Sequence, residues 1–203
     1  MSYYFDKKTN VESNEKKIKV KIKDKYYEFY TDNNVFSKNY LDFGTRTLLE
    51  SIDSVSGDIL DFGCGYGPIG IYLKSTFDCN IDMVDINNRA LNLSQKNSIL
   101  NNVDVDIFES DIYNNIHKKY DYIITNPPIR VGKDILYKIL FGAKKYLKTS
   151  GHLIFVMHKD QGAKSIMKLL NSEYKVSNIK KNKGFFVIDC QKPWHIYKRV
   201  LKS

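Results

Sequence analysis

A chain of 203 residues, 42% hydrophobic and 13% aromatic, can build one well-packed core and little more, which excludes an intrinsically disordered protein. No apolar run approaches a membrane span, the N-terminus with Asp6, Lys7 and Lys8 lacks the apolar centre of a signal peptide, and Cys64, Cys79 and Cys190 form neither a C-x-x-C pair nor a metal-ligand spacing. A cytoplasmic protein with reduced thiols and no metal is expected; the net charge of +9 suits RNA, DNA or acidic lipid, and suits a Lys-rich solvated surface equally.

Residues 1–17 are polar and expected to be loosely ordered. Ile18-Lys19-Val20-Lys21-Ile22 alternates apolar and basic side chains, and Tyr26 to Tyr30 reads as its return strand after a turn at Asp24-Lys25. An N-terminal β-hairpin over 18–30 is therefore predicted. A helix follows over 45–52. Strands over 59–62, 81–85, 103–108, 120–125 and 152–157 then alternate with helices over 68–74, 88–100, 135–147 and 163–170. The helix at 88 is expected to turn Ala90, Leu91, Ser94 and Ile99 to one face, and Thr149-Ser150-Gly151 to stop the helix before the 152 strand. A last hairpin, 174–179 with 185–189, turns around Lys181-Asn182-Lys183-Gly184. Such alternation implies an α/β fold: a doubly wound, mainly parallel, seven-stranded Rossmann-like sheet, its core over 45–190 within a single domain of 1–203. Ligands of such sheets bind beyond the carboxyl ends of the strands.

The residues following the strands are the unusual ones. Asp61-Phe62-Gly63-Cys64-Gly65-Tyr66-Gly67-Pro68 leaves a strand and opens a helix; its glycines permit a sharp turn and close approach of backbone to a ligand. Gly65-x-Gly67-x-x-Gly70 also satisfies the dinucleotide fingerprint, so the turn alone does not separate NAD from S-adenosylmethionine. Asp85 ends the next strand, placed to accept hydrogen bonds from ribose hydroxyls or to cap the following helix. Asp111, after the third strand, is placed to meet an adenine amino group or to cap a turn.

Asn126-Pro127-Pro128-Ile129 follows the fourth strand. The prolines stiffen the loop and remove two backbone donors, leaving the Asn126 side-chain oxygen and the Pro127 carbonyl as acceptors for the two hydrogens of an exocyclic amino group. The ordinary alternative is a rigid loop after a buried strand.

Taken together, Asp61-x-Gly63-x-Gly65-x-Gly67, Asp85 and Asn126-Pro127-Pro128 resemble the class I S-adenosylmethionine-dependent methyltransferases that modify amino nitrogens. Val35-Phe36-Ser37, Leu41-Asp42-Phe43-Gly44-Thr45-Arg46, Lys159-Asp160-Gln161-Gly162-Ala163 and Lys181-x-Lys183-Gly184 narrow the likeness, which covers about residues 18–190. The chain is similar to the small-subunit (16S) ribosomal RNA guanine-N2 methyltransferases, in the short bacterial form with only the catalytic domain.

The resemblance implies a loop from Phe36 to Thr45 over the cofactor, with Ser37, Gly44 and Thr45 near its methionine part. It implies cofactor contacts from Asp61, the Gly63-Cys64-Gly65 and Gly67-Pro68 backbone, Asp85-Ile86, Asp111 and Asn126. The catalytic loop would be Asn126 to Ile129. Arg130, Lys133, Lys159, Gln161, Lys181 and Lys183 would meet ribosomal RNA or the small ribosomal subunit. Methyl transfer would be direct, without a metal, and the amino group would lose its proton only after attack. The sequence departs from the pattern at Ile129, where many amino-methyltransferases have an aromatic residue to stack on the base. DNA adenine and protein glutamine remain alternative acceptors, as do, on other grounds, an NAD-dependent oxidoreductase and a non-catalytic RNA-binding module. His117, His152, His158 and His195 have no partner pattern in sequence and are expected to be structural or surface residues. Trp194, with Lys192, Lys198 and Arg199, reads as an RNA-stacking tail or, more simply, a packed terminus.

Overall fold

The computed structural model describes residues 12–194 apart from 34 and 38; His195, Lys198 and Arg199 lie outside them. Strands β1 (Lys16–Ile22) and β2 (Lys25–Thr31) pair antiparallel as a separate two-stranded hairpin. Its turn is Lys23-Asp24, one residue earlier than expected, and β1 takes in Lys16 and Lys17. The segment before it is held as well, since Ser13 and Asn14 both donate to Asp32, so the loose stretch expected over 1–17 does not extend through these residues.

Helix α1 is Phe43–Glu50, starting two residues before the predicted position because Asp42 caps it, accepting the Thr45 N–H. Seven strands then build one sheet: β3 (Gly57–Phe62), β4 (Cys79–Asp85), β5 (Asp106–Glu109), β6 (Tyr120–Thr125), β7 (Leu147–His158), β8 (Lys175–Asn182) and β9 (Phe185–Gln191). The connecting helices are α2 (Pro68–Thr76), α3 (Asn88–Leu100), α4 (Lys133–Tyr146) and α5 (Ala163–Leu170). The strand order is β5-β4-β3-β6-β7-β9-β8. The first five strands of that row pair parallel, and β9 and β8 pair antiparallel at one end. Among the described residues, no helix is long and apolar enough to cross a membrane.

Both faces of the sheet are covered. Ile59, Ile154, Val156 and Val187 join the cluster under α1, α2, α3 and the hairpin, while their neighbours Leu60, Leu153, Phe155 and Ile188 join the cluster under α4 and α5. Burial on both faces explains the unbroken apolar run from Leu153 to Met157.

The differences from the sequence expectation are local. No stop separates α4 from β7: Thr149-Ser150-Gly151 lies inside a bulged strand, with Ser150 at φ 62°. A Cβ on Gly151 would sit 3.0–3.1 Å from the carbonyls of Tyr120, Asp121 and Lys148, so glycine serves close backbone approach there. Strand β5 begins at Asp106, because Val103 is still bonded back to Ser98 at the end of α3. The buried stripe of α3 is Ala90, Leu93, Ser94, Asn97 and Ser98, the spacing of one helical face, and it leaves Ile99 69% exposed.

Asn97 ties the hairpin to the sheet. Fully buried, it accepts the Tyr30 N–H at 2.6 Å and donates to the carbonyls of Tyr30 and Tyr66 at 2.9 and 2.8 Å. Asn97→Ala would leave three buried backbone groups unsatisfied, and a loss of about 3 kcal/mol in urea unfolding is expected. Faster amide exchange at Tyr30 should accompany it; unchanged stability would refute this role.

Candidate active site

The carboxyl ends of β3, β4, β5 and β6 bring the sequence-predicted residues to one edge. At the end of β3, Gly63, Gly65 and Gly67 all have positive φ, and a Cβ on Gly63 or Gly65 would meet nothing within 4 Å. The turn therefore borders open space that a larger residue would fill.

Most of its amide groups are engaged internally. The N–H groups of Gly63 and Cys64 both donate to the Val84 carbonyl, at 2.8 and 2.9 Å. Gly65 N donates to Asp85 Oδ2 at 2.9 Å and Gly67 N to the Cys64 carbonyl. In the first turn of α2, Pro68 has no N–H and Gly70 N donates to Asp61 Oδ2 at 2.8 Å. A pyrophosphate needs free amides at this position. With most of them committed, the turn has few amides left for a pyrophosphate, while the open space at Gly63 and Gly65 has room for a sugar and chain. Cys64 offers no side chain either; its thiol is buried against Ser94, and burial pushes its pKa up.

Asp85 receives backbone amides on both oxygens, Asn87 N on Oδ1 and Gly65 N on Oδ2, each at 2.9 Å. It is not the helix cap: Asn87 caps α3 through its own side chain. Partly exposed at the edge, with Ile86 half-buried beside it, the Asp85 carboxylate keeps lone pairs for a ligand. Ser110 N bonds to the Asp85 carbonyl, which carries the exposed Asp111 to the same edge, where its carbonyl opens a turn at Asn114.

Asp61 lies beneath the turn, fully buried. Burial pushes its carboxyl up to about 7, against the pull of the Gly70 N–H and with a further push from Asp85. Its Oδ1 has no partner among the described residues. Unpartnered buried hydroxyls also occur at Tyr66, in the glycine turn, and at Thr125, the last residue of β6. Tyr72, in α2, has another; of the four, Asp61 beneath the turn and Thr125 beside Asn126 fit a site that completes its hydrogen bonds with a ligand.

Asn126 sits at the end of β6, and its side chain is held from the other side of the cleft. Nδ2 donates to Thr45 Oγ1 at 3.0 Å and to Asp42 Oδ1 at 3.3 Å. A carboxylate accepts only, so this contact sets which end of the amide faces α1. Asn126 Oδ1 is thereby turned away, and it carries no hydrogen bond among the described residues. Pro127 is buried, and Pro128 leads into a 3₁₀ turn, Ile129–Val131, where Ile129 packs against the α4-side core.

The loop expected over a cofactor divides differently. Thr45 is 3% exposed and positions Asn126, and Gly44 lies under the Phe185 ring, where a Cβ would come within 3.0 Å of it. Phe36, 55% exposed, and Ser37, at φ 61°, lie in the open part of the loop with the exposed Asn39 and Tyr40. Asp42 is the residue that site reasoning from sequence passed over; its place three residues before Thr45, as a helix cap, was the available signal.

The basic residues gather along the β6–β7–β9 side. Lys159 N bonds to the Gly184 carbonyl, joining the segment after β7 to the β8–β9 turn, which carries Lys183 and follows Lys181 at the end of β8. Lys133 starts α4, and the Arg130 backbone lies in the 3₁₀ turn. Gln161 Oε1 accepts the His158 N–H as part of a cap, so it serves local structure. His152 does have a carboxylate partner, Asp189 at 2.9 Å, which only the β7–β9 pairing brings beside it.

A sheet of this order, with a glycine cradle at β3, an acidic residue at β4 and an Asn-Pro-Pro loop at β6, defines the class I methyltransferase fold. The chain belongs to the methyltransferase small domain family, which matches residues 26–189. It is 40% identical over 197 residues to "Uncharacterized protein YbxB" of Bacillus subtilis, covering 94% of this chain and 98% of that protein. It is 41% identical over 127 residues to "Ribosomal RNA small subunit methyltransferase C" of Vibrio vulnificus, covering 60% of this chain and 37% of that protein. The fold aligns at TM-score 0.81 and 22% identity with the T. thermophilus 16S rRNA N2 G1207 methyltransferase (RsmC) solved with AdoMet and guanosine, over 91% of this chain and 52% of that one. The chain thus spans about a third to a half of those two longer proteins.

A pH dependence follows from Asp61. Its folded pKa of about 7 lies above the ordinary value of 3.8, so the folded protein keeps a proton that the unfolded chain gives up. Stability from this group is therefore full below about pH 4, falls as pH rises towards 7, and stays low above it, at a cost of order 4 kcal/mol. Asp61→Asn should raise the melting temperature of the ligand-free protein by about 8 °C near pH 8, and by about half that or less near pH 5. An equal shift at both pH values would show that Asp61 ionises freely.

Proposed function

We propose that this protein transfers a methyl group from S-adenosylmethionine to an exocyclic amino nitrogen of RNA, at guanine N2 in 16S ribosomal RNA. The observation that carries the reading is the orientation of Asn126: its amide nitrogen is held by Asp42 and Thr45, which leaves its oxygen as an acceptor, with the Pro127 carbonyl next in the chain as the second. Together these two oxygens take the two hydrogens of an amino group and aim the nitrogen lone pair across the cleft. The family match, the curated relatives named for small-subunit rRNA and the fold likeness support the substrate class. The substrate would be met in the cytoplasm, as naked RNA or in the small subunit.

The cofactor fits the cleft. The open space above Gly63 and Gly65 accepts its chain and sugar without a Cβ clash. Asp85 takes the ribose hydroxyls while still holding the turn amides, and Asp111 lies where the adenine amino group would fall. Asp61 offers its free Oδ1 to the cationic methionine amino group, which would draw its carboxyl back to the ionised form. When bound, S-adenosylmethionine supplies an electrophilic methyl group on a sulfonium sulfur. Asn126 and Pro127 would hold the amino nitrogen in line with that methyl group, so that the N–C bond would form as the C–S bond broke with its electron pair left on sulfur. The proton leaves the nitrogen after transfer, to water, so the chain needs no strong base. Asn126 and Pro127 provide alignment, the contribution most sensitive to sub-ångström displacement.

Asn126→Ala is expected to abolish transfer while leaving S-adenosylmethionine affinity, measured by calorimetry, nearly intact. Thr45→Val keeps the shape of the side chain, removes the acceptor for Asn126 Nδ2, and should lower kcat about ten- to hundred-fold. Mass mapping of ribosomal RNA from cells with and without the protein tests the substrate directly. Loss of one N2-methylguanosine supports the reading; an unchanged map with intact cofactor binding moves the acceptor elsewhere.

A further inference from the structure

An amino group presented to Asn126 belongs to a flat ring, and a ring drawn out of an RNA stack needs a surface to lie on. The residue after the two prolines does not supply one, because Ile129 is aliphatic and packs into the core on the α4 side. Phe43 is better placed. It is the first residue of α1, next to Asp42, whose carboxylate lies 3.3 Å from the Asn126 amide nitrogen. Its ring is half-buried yet belongs to neither hydrophobic cluster. It meets the Phe185 ring, itself packed against the hairpin-side core, with centroids 5.7 Å apart at 48°, and Lys183 Nζ lies 5.2 Å from the ring centre.

This small cluster is braced from behind. The His158 ring meets Phe185 edge-on at 4.8 Å, and Gly44 makes room for Phe185 beneath α1. In the strand order β3-β6-β7-β9, His158 at the end of β7 and its partner Phe185 at the start of β9 lie on the far side of β6 from β3 and its glycine turn. The cluster therefore lies on the acceptor side of the Asn-Pro-Pro loop, away from the glycine cradle. A lysine ammonium over an aromatic face marks that face as reachable by a mobile group, and base–aromatic stacking with a nearby cation is how single-stranded RNA is held.

We propose that Phe43 is the stacking platform for the acceptor base, in place of an aromatic residue after the prolines, with Phe185 bracing it and Lys183 meeting the phosphate of the same nucleotide. This rests on the reading that Asn126 holds the amino group of a base. Phe43→Leu is expected to raise KM for ribosomal RNA about ten-fold, with cofactor affinity and melting temperature close to wild type, and Phe43→Tyr to restore what is lost. An unchanged KM in Phe43→Leu, or a loss that Phe43→Tyr does not restore, overturns the platform and leaves the methyltransferase reading standing.

Absence of any transfer to ribosomal RNA by the wild type would overturn the RNA reading instead, and a binding measurement then decides the platform alone. Trp194 is the single tryptophan of the chain, so Phe43→Trp combined with Trp194→Phe makes a reporter at the platform. Guanosine 5′-monophosphate should quench it saturably, and less tightly when Asn126→Ala is added. Quenching that is absent, or that does not saturate, overturns the proposal.

Discussion

The parallel core of the sheet is the constraint on which the rest depends. Because β5, β4, β3, β6 and β7 all run the same way, every loop after these strands emerges along one edge. Both faces are closed by helices, so polar chemistry has no place on the faces and collects at the strand ends. The opposite edge is tied for stability: Lys148 Nζ lies 2.7 Å from both Asp58 and Asp121, at the starts of β3 and β6. One end of the sheet is closed by charge pairing, and the other is left with unpartnered acceptors.

At the open end, single groups serve two levels of structure. Asp42 Oδ1 accepts the Thr45 N–H that starts α1 and lies 3.3 Å from the Asn126 amide. The start of a helix and the aim of the Asn126 side chain are thus set by one carboxylate. Asp85 acts similarly, organising the glycine turn and the entry to α3 with both oxygens while facing the cleft. The glycines make space, and the acidic residues around them hold that space open. Asp61 is the counterpart in energy: a carboxyl buried without a full set of partners destabilises the ligand-free fold and is ready for a cation.

The elements were largely legible in the chain. Period-2 and helical patterns, the Gly-Cys-Gly-Tyr-Gly turn and the doubled proline located nearly every strand and helix, because each depends on residues a few positions apart. Boundaries shifted where a distant group intervened: the bulge at Ser150-Gly151 answers to the backbone of Tyr120 and Asp121, and the stripe of α3 is set by the hairpin lying on Asn97. In the site, Asp85 and Asn126 lie at the strand ends, and packing adds contacts that spacing did not show: Gly44 lies against Phe185, and Thr45 accepts from the Asn126 amide.

By itself the sequence determined where the chain turns, which strand ends carry the unusual residues, and the family to which they belong, since these are properties of short segments and their order. Only the tertiary structure decided which way Asn126 faces, because its partner Asp42 lies 84 residues away and is reached by packing α1 across the end of the sheet. The same packing put Phe43 beside Phe185 and Lys183, and the pairing of β7 with β9 put His152 beside Asp189. Such contacts join segments that share no local pattern, so no reading along the chain reveals them.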